Sequence, residues 1–289
     1  MNPQQKTLPA TRPRPTVGSA IWPKLSIVAA VLGAAGSVIG LTVGSIYAHL
    51  TPYFLPQALA QDAGDIAVAA PTILISAALV LRGSVRAYPV WLGALGFTVY
   101  NYVIYTFSVP FGPLFPLWVA VFGLCLFALI GGVASADHHR VAAHFTRRRT
   151  VVVAAWFVIG AAVLFVALWL SEDIPALLNG TTPTSVTDMG LPTNPVHVLD
   201  YAFFVPTAVV AGIRLLRGRA SAYLIAPAFL VFVVLTCVPI LITPFVQTAR
   251  SEAAAWALVI PIGVLAAATL AMLVQLLRTV RPERPGRSF

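Results

Sequence analysis

Apolar residues run through the chain in eight long blocks, roughly 25–48, 63–82, 88–108, 114–134, 150–170, 197–217, 221–245 and 253–278, with polar residues gathered between them. A hydrocarbon core about 30 Å thick takes about 20 apolar residues in helical form, so each block predicts one spanning helix. An outer-membrane barrel would show alternating segments of about ten residues. The unbroken run VVVAAWFVIGAAVLFVALWL at 151–170 excludes that pattern. The predicted fold class is an all-α integral membrane protein with eight transmembrane helices. The connecting segments are short, except 49–62 and 171–196. Residues 1–24 and 279–289 are polar and Pro-rich, and are expected to be disordered cytoplasmic tails around one membrane domain, 25–278.

Charge adds orientation. Only 9% of residues are charged and 59% are hydrophobic, against about 25% charged in a typical soluble domain. A net charge of +9 would raise the question of nucleic acid in a soluble protein. Here, with the N-terminus inside, 17 of the 18 basic residues fall on the cytoplasmic side and only Arg250 falls outside. Seven of the nine acids divide the other way, leaving Asp137 and Glu283 inside. The expected topology is multi-pass, with both termini cytoplasmic. The expected partner is the lipid bilayer, with anionic headgroups at the cytoplasmic arginines and at His138, His139 and His144. No nucleic-acid partner is expected, and the oligomeric state is left open. Trp22, Trp91 and Trp156 fall near inner boundaries and Trp118, Trp169 and Trp256 near outer ones, where amphipathic rings collect. Ala58-Leu59-Ala60 resembles a signal-peptide cleavage site, but the apolar run before it is too long, so the first helix is expected to be retained. Cys125 and Cys237 lie inside predicted helices and are read as small buried residues, without a disulfide.

The chain matches itself at an interval of 135 residues. DIAVAAPTILISAALVLRGSVRAY (65–88) aligns without a gap on DYAFFVPTAVVAGIRLLRGRASAY (200–223), with nine of 24 positions identical. The matches include Asp65/Asp200, Pro71/Pro206, Thr72/Thr207, Arg82/Arg217, Gly83/Gly218 and Tyr88/Tyr223. The predicted architecture is therefore two parallel four-helix repeats, 25–134 and 150–278, joined by a cytoplasmic linker, 135–149. Ligand sites in such proteins tend to lie at the repeat interface. Gly36, Gly40 and Gly44 predict a packing ridge on the first helix. Pro71 and Pro206 are expected to kink the second and sixth helices.

Candidate chemistry gathers at the outer ends of these helices. Asp65 and Asp200 each precede the matched arginine by 17 residues, roughly 25 Å of helix. A carboxylate at that depth is costly unless paired, hydrated or protonated. The repeat aligns Asp62 with His197, so each helix carries an i, i+3 pair on one face. Symmetric packing would bring three carboxylates and one imidazole together. The alternative is capping, since acids are favoured in a helix's first turn. Asn194-Pro195 looks like the N-cap of the sixth helix, which places Asp200 too deep to cap, whereas for Asp65 capping stays open. On the third helix Tyr100, Asn101 and Tyr105 can hydrogen-bond a buried carboxylate or line a path, or face headgroups as interfacial residues. Their counterparts Leu235, Thr236 and Ile240 lack that polar set, so any site is asymmetric. His49, Glu172 and Asp173 add scattered outer ligands without a compact metal-binding spacing, so no metal or cofactor is implied. No nucleotide-binding or nucleophile-elbow motif occurs at a usable position.

The strings QDAGDIAVAAP, RGSVRAYPVWLGALGFTVYNYVIYTF and LPTNPVHVLDYAFFVPTAVVAGIRLLRGRASAY resemble a family of bacterial eight-helix polytopic membrane proteins, over about 55–245. The resemblance implies eight spans in a bacterial cytoplasmic membrane and brings no activity, substrate or assigned site. The expected function is a proton- or cation-coupled transporter or permease-like protein with an outward-facing carboxylate site. The alternatives are a membrane-embedded enzyme acting on a lipid or isoprenoid, and a non-catalytic sensor or assembly partner. The charge bias makes a direct prediction: alkaline phosphatase fused after residue 182 is active in bacterial cells, and fused after residue 140 is inactive. The reverse pattern would refute the orientation.

Overall fold

Eight helices long and apolar enough to cross a membrane make up the body of the protein, seen in a computed structural model that describes residues 20–145 and 148–280. In chain order the helices are α1 (Ile21–Thr42), α2 (Phe54–Leu81), α3 (Ala87–Ser108), α4 (Phe115–Ser135) and the short α5 (His138–Ala143). There follow α6 (Arg148–Asn179), the short α7 (Thr184–Met189), α8 (Pro195–Leu216), α9 (Ala222–Ala249) and α10 (Trp256–Arg278). Among the described residues there is no strand, only one isolated bridge between Phe145 and Val280. The chain is an all-helical, polytopic membrane protein. Of the two expected tails, residues 1–19 and 281–289 lie outside the described residues, and Ile21 to Lys24 already belong to α1.

Three boundaries differ most from the hydropathy blocks. α1 ends at Thr42, six residues early, and α6 runs on through Pro175 to Asn179. The third difference matters most: α2 begins at Phe54, so most of the expected 49–62 loop is helix. Gln57, Gln61 and Asp62 break the apolar run there, but Phe54, Ala58 and Ala60 are buried and anchor the extra turns. Pro56 is tolerated in a first turn, where its missing N–H has no helical partner to lose. The Thr51 hydroxyl accepts the Phe54 N–H at 3.2 Å, which satisfies one free donor of the helix end.

Both repeated prolines follow a widened turn. Asp65–Ala69 in α2 and Asp200–Phe204 in α8 are π-helical, with the Ala70 N–H donating to the Asp65 carbonyl and the Val205 N–H to the Asp200 carbonyl. A proline inside an α-helix clashes with the carbonyl four residues back. The wider turn displaces that carbonyl from the ring of Pro71 or Pro206. Each helix then ends at Gly83 or Gly218, with φ of +87° and +66°, in the left-handed region that glycine enters without strain. Local backbone thus recurs at the 135-residue interval, from aspartate to proline to glycine.

The packing around these segments is unequal. α3 and α9 lie against each other in the middle of the bundle, and α1 packs along α4. α2 packs closely on α9, whereas α8 touches α3 only through its first turns. The α3–α9 contact rests on Gly93, where an added Cβ would strike Val231 and the Ala228 carbonyl. The ridge on α1 uses Gly33, Gly36 and Gly40, set against Tyr102, Leu117 and Asp62 respectively. Gly44 lies beyond the helix end with nothing near it, so the expected third position of that ridge is corrected.

The tryptophan belt also needs correction. Trp91 is completely buried and donates to the Ser26 hydroxyl at 2.9 Å, and Trp118 is buried among aromatic rings. Only Trp156 and Trp256 are largely exposed. An indole N–H in hydrocarbon needs an acceptor, and this bundle supplies acceptors from inside. Trp22 gives its N–H to Ser135 at 3.1 Å, and Tyr88 donates to the Gly132 carbonyl at 2.6 Å, tying α1 and α3 to α4. Cys125 and Cys237 are free and buried.

Gly93→Val should lower the thermal midpoint of the purified protein, by about 1–3 kcal/mol of overpacking. Gly123→Val, at a position with open space around it, should leave the midpoint unchanged. Equal effects at the two positions would show that the α3–α9 contact is not tight.

Candidate functional site

The carboxylates of α2 and α8 occupy two separate settings, both reached by donors from α3. In the first, Asp62 and Asp65 are buried one helical turn apart on α2. Asp62 accepts the hydroxyl of Tyr47 at 2.8 Å and that of Tyr105 at 2.9 Å. Asp65 accepts the amide N–H of Gln61 at 2.9 Å and of Asn101 at 3.0 Å. Gly40 of α1 lets Asp62 come this close, because any side chain there would run into its carboxylate and the Tyr47 ring. Tyr47 sits between α1 and α2, and burial beside Asp62 pushes its hydroxyl well above the ordinary tyrosine range. It therefore stays protonated and acts as a permanent donor. Tyr47 also stacks parallel to Trp118 at 6.4 Å, and Trp118 stacks on Tyr105 at 5.3 Å.

In the second setting, Asp200 accepts the hydroxyl of Tyr100 at 3.0 Å and the indole N–H of Trp169 at 2.7 Å. Asn194 caps α8 through N–H groups of Val196 and His197, which fixes Asp200 inside the helix. One turn before Asp200, His197 is buried with its ring against Trp169, centroids 4.5 Å apart. Its Nδ1 lies 3.0 and 3.1 Å from the two oxygens of Asp173 on α6, and Tyr201 donates to the same carboxylate at 2.7 Å. A carboxylate oxygen accepts, so Nδ1 donates to Asp173. Nε2 is buried without a hydrogen-bond partner, 3.9 Å from Glu172 Oε2.

Several expectations are thereby decided. Asp65 stands well inside α2, which rules out a capping role for it. Asn101 and Tyr105 face inward to carboxylates, and Tyr100 does so too, so an interfacial role is excluded for all three. The four groups do not converge on one centre. Asp62 and Asp65 are held with α1 and α3, while Asp200 and His197 are held with α6 and α3. The asymmetry expected from α9 is present: Leu235 and Cys237 are buried, and Thr236 turns its hydroxyl to the Phe232 carbonyl. Among the described residues, no group of three or more His, Cys, Asp or Glu is arranged to hold a metal ion. His49 is exposed.

Tyr47, Gln61, Trp169 and Tyr201 complete these settings without having stood out in the sequence. Gln61 was legible, since it lies i, i+4 from Asp65 on one helix face. Tyr47 and Trp169 come from elements whose placement only packing decides. No protein-family model, curated protein or solved structure matches the chain.

An ionisable side chain at mid-membrane costs about 2.5–3.5 kcal/mol, and each hydrogen bond to a charged group returns about 1.5–3 kcal/mol. Asn101→Leu should destabilise the protein by about 1.5–3 kcal/mol, and Asp65→Asn in the same chain should restore most of that loss. Additive losses in a double-mutant thermal melt would show that the two side chains act independently.

Proposed function

We propose that the protein is a proton- or cation-coupled permease-like transporter, in which Asp65 and Asp200 take up and release the coupling ion at the face away from the arginines. One observation carries this reading: neighbouring residues of α3 serve both carboxylates, Asn101 donating to Asp65 and Tyr100 to Asp200. A change of charge at either aspartate alters a hydrogen bond on the same turn of the same helix. α3 is also the central helix, packed against α9, so a shift there is felt between the two halves of the chain. The 135-residue self-match, with a π turn opening at each aspartate, supports two related halves that work as a pair. Wide turns are frequent at functional points of helices. Pro71 and Pro206 are the places where α2 and α8 would bend. The charge bias supports cytoplasmic termini, with the aspartates loaded from outside.

A second reading draws on a different observation. The Asp173–His197 pair leaves Nε2 buried without a hydrogen bond, 3.9 Å from Glu172, an arrangement suited to general acid–base chemistry on a lipid or isoprenoid substrate. The two readings separate in one experiment. Protein is reconstituted in vesicles holding a pH-sensitive dye, and sodium, potassium, magnesium or calcium is added outside. The transporter reading expects proton efflux on addition of one of these cations, lost in the Asp65→Asn/Asp200→Asn double variant and retained in His197→Gln. Flux in the double variant equal to that of the unmodified protein would refute it.

A further inference from the structure

The unequal packing of α2 and α8 leaves a space beside α3. A cavity of about 600 Å³ lies between α3, α4, α8 and α9, walled by residues such as Gly96, Val99, Phe122, Phe203 and Phe232. Tyr100 and Thr207 are the polar side chains on its wall, and the Tyr100 hydroxyl is already given to Asp200. α4 and α8 do not pack closely on each other, so the space opens sideways toward the bilayer. Along α3 it extends from Leu92 to Val103, roughly 16 Å of helix. One leaflet of a bilayer offers about 15 Å of hydrocarbon. The space has the length of a single lipid chain.

Charge decides from which side the chain enters. On α8 the wall residues Phe203 and Thr207 continue along the same exposed stripe through Val210 to Arg214. Phe203 and Arg214 are again roughly 16 Å apart along the helix. Arg217 and Arg219 follow at that end, both exposed. The opposite end closes on Asp200, with Asp173 and Glu172 beyond it around His197. An anionic headgroup is attracted to the first end and repelled by the second.

We propose that this groove is a lipid site, holding one acyl chain of an anionic phospholipid whose headgroup rests at Arg214 on the arginine face. The chain lies along α3, with its tip below the Tyr100–Asp200 pair. This site stands whether or not the aspartates move an ion. Gly96 allows a direct test, because a Cβ there meets only Phe232, at an ordinary 3.8 Å. Gly96→Leu therefore fills the groove without striking backbone.

The experiment is native mass spectrometry of the full chain, delipidated and then titrated with phosphatidylglycerol or phosphatidylcholine of identical chains. The expected result is one phosphatidylglycerol retained per protein, in preference to phosphatidylcholine. Arg214→Gln should weaken that retention about fivefold, the effect of one arginine at an anionic surface. Gly96→Leu should abolish it. Equal retention of both lipids, or unchanged retention in a Gly96→Leu protein of unaltered thermal midpoint, overturns the proposal. If Gly96→Leu fails to fold, phosphatidylglycerol with a photoactivatable group at its chain end decides on the unmodified protein. Labelling of Val99, Val103 or Phe232 supports the site, and labelling confined to the outward residues Val163, Leu164 and Ile260 overturns it.

Discussion

Hydrocarbon offers no water to a carboxylate, so an aspartate inside a membrane protein must be met by donors from its own chain or remain uncharged. Three aspartates in this bundle are each met by at least two donors. The donors are hydroxyls, amides and an indole, with no arginine or lysine among them. Neutral donors hold a carboxylate without cancelling its charge, which is what the proposed uptake of a proton or cation would require. Much of the architecture follows from that requirement. Gly40 is bare so that Asp62 can approach α1, Tyr47 is folded inward past the end of α1, and α3 turns Tyr100, Asn101 and Tyr105 toward its neighbours.

α3 is the structural link between the two settings. Its start is tied to α1 and α4 through Trp91 and Tyr88, and its flank lies against α9 at Gly93. Its far half carries the donors. In the proposed transporter, coupling between the aspartates would pass through the adjacent side chains Tyr100 and Asn101, without contact between the aspartates themselves.

The repeated segments show how a shared local rule yields different surroundings. Aspartate, π turn, proline and left-handed glycine recur at the same interval because those residues dictate backbone geometry by themselves. What packs against each segment depends on residues outside it. Val238 and Pro239 of α9 fit beside Gly64 and close the space next to α2. Phe204 of α8 packs against Phe229 and Phe232 of α9, and a groove lies between α8 and α3.

Hydropathy alone determined the all-helical class and the eight spans, because about 20 apolar residues in a row have no other stable use in so uncharged a chain. The i, i+3 pairing of Asp62 with Asp65 and the Asn194 cap were likewise legible, since each depends on spacing within one helix. The early start of α2 was not, because burial against other helices outweighed three polar residues that break the apolar run. The six tryptophans look alike in sequence, yet the fold buries Trp91 and Trp118, gives Trp169 to Asp200 and leaves Trp156 at the surface. Likewise, which donor serves which carboxylate, and that the four acid and imidazole groups form two settings instead of one, was decided only by the tertiary structure. Spacing along a helix specifies a face; the neighbour that face meets is chosen by how all eight helices pack.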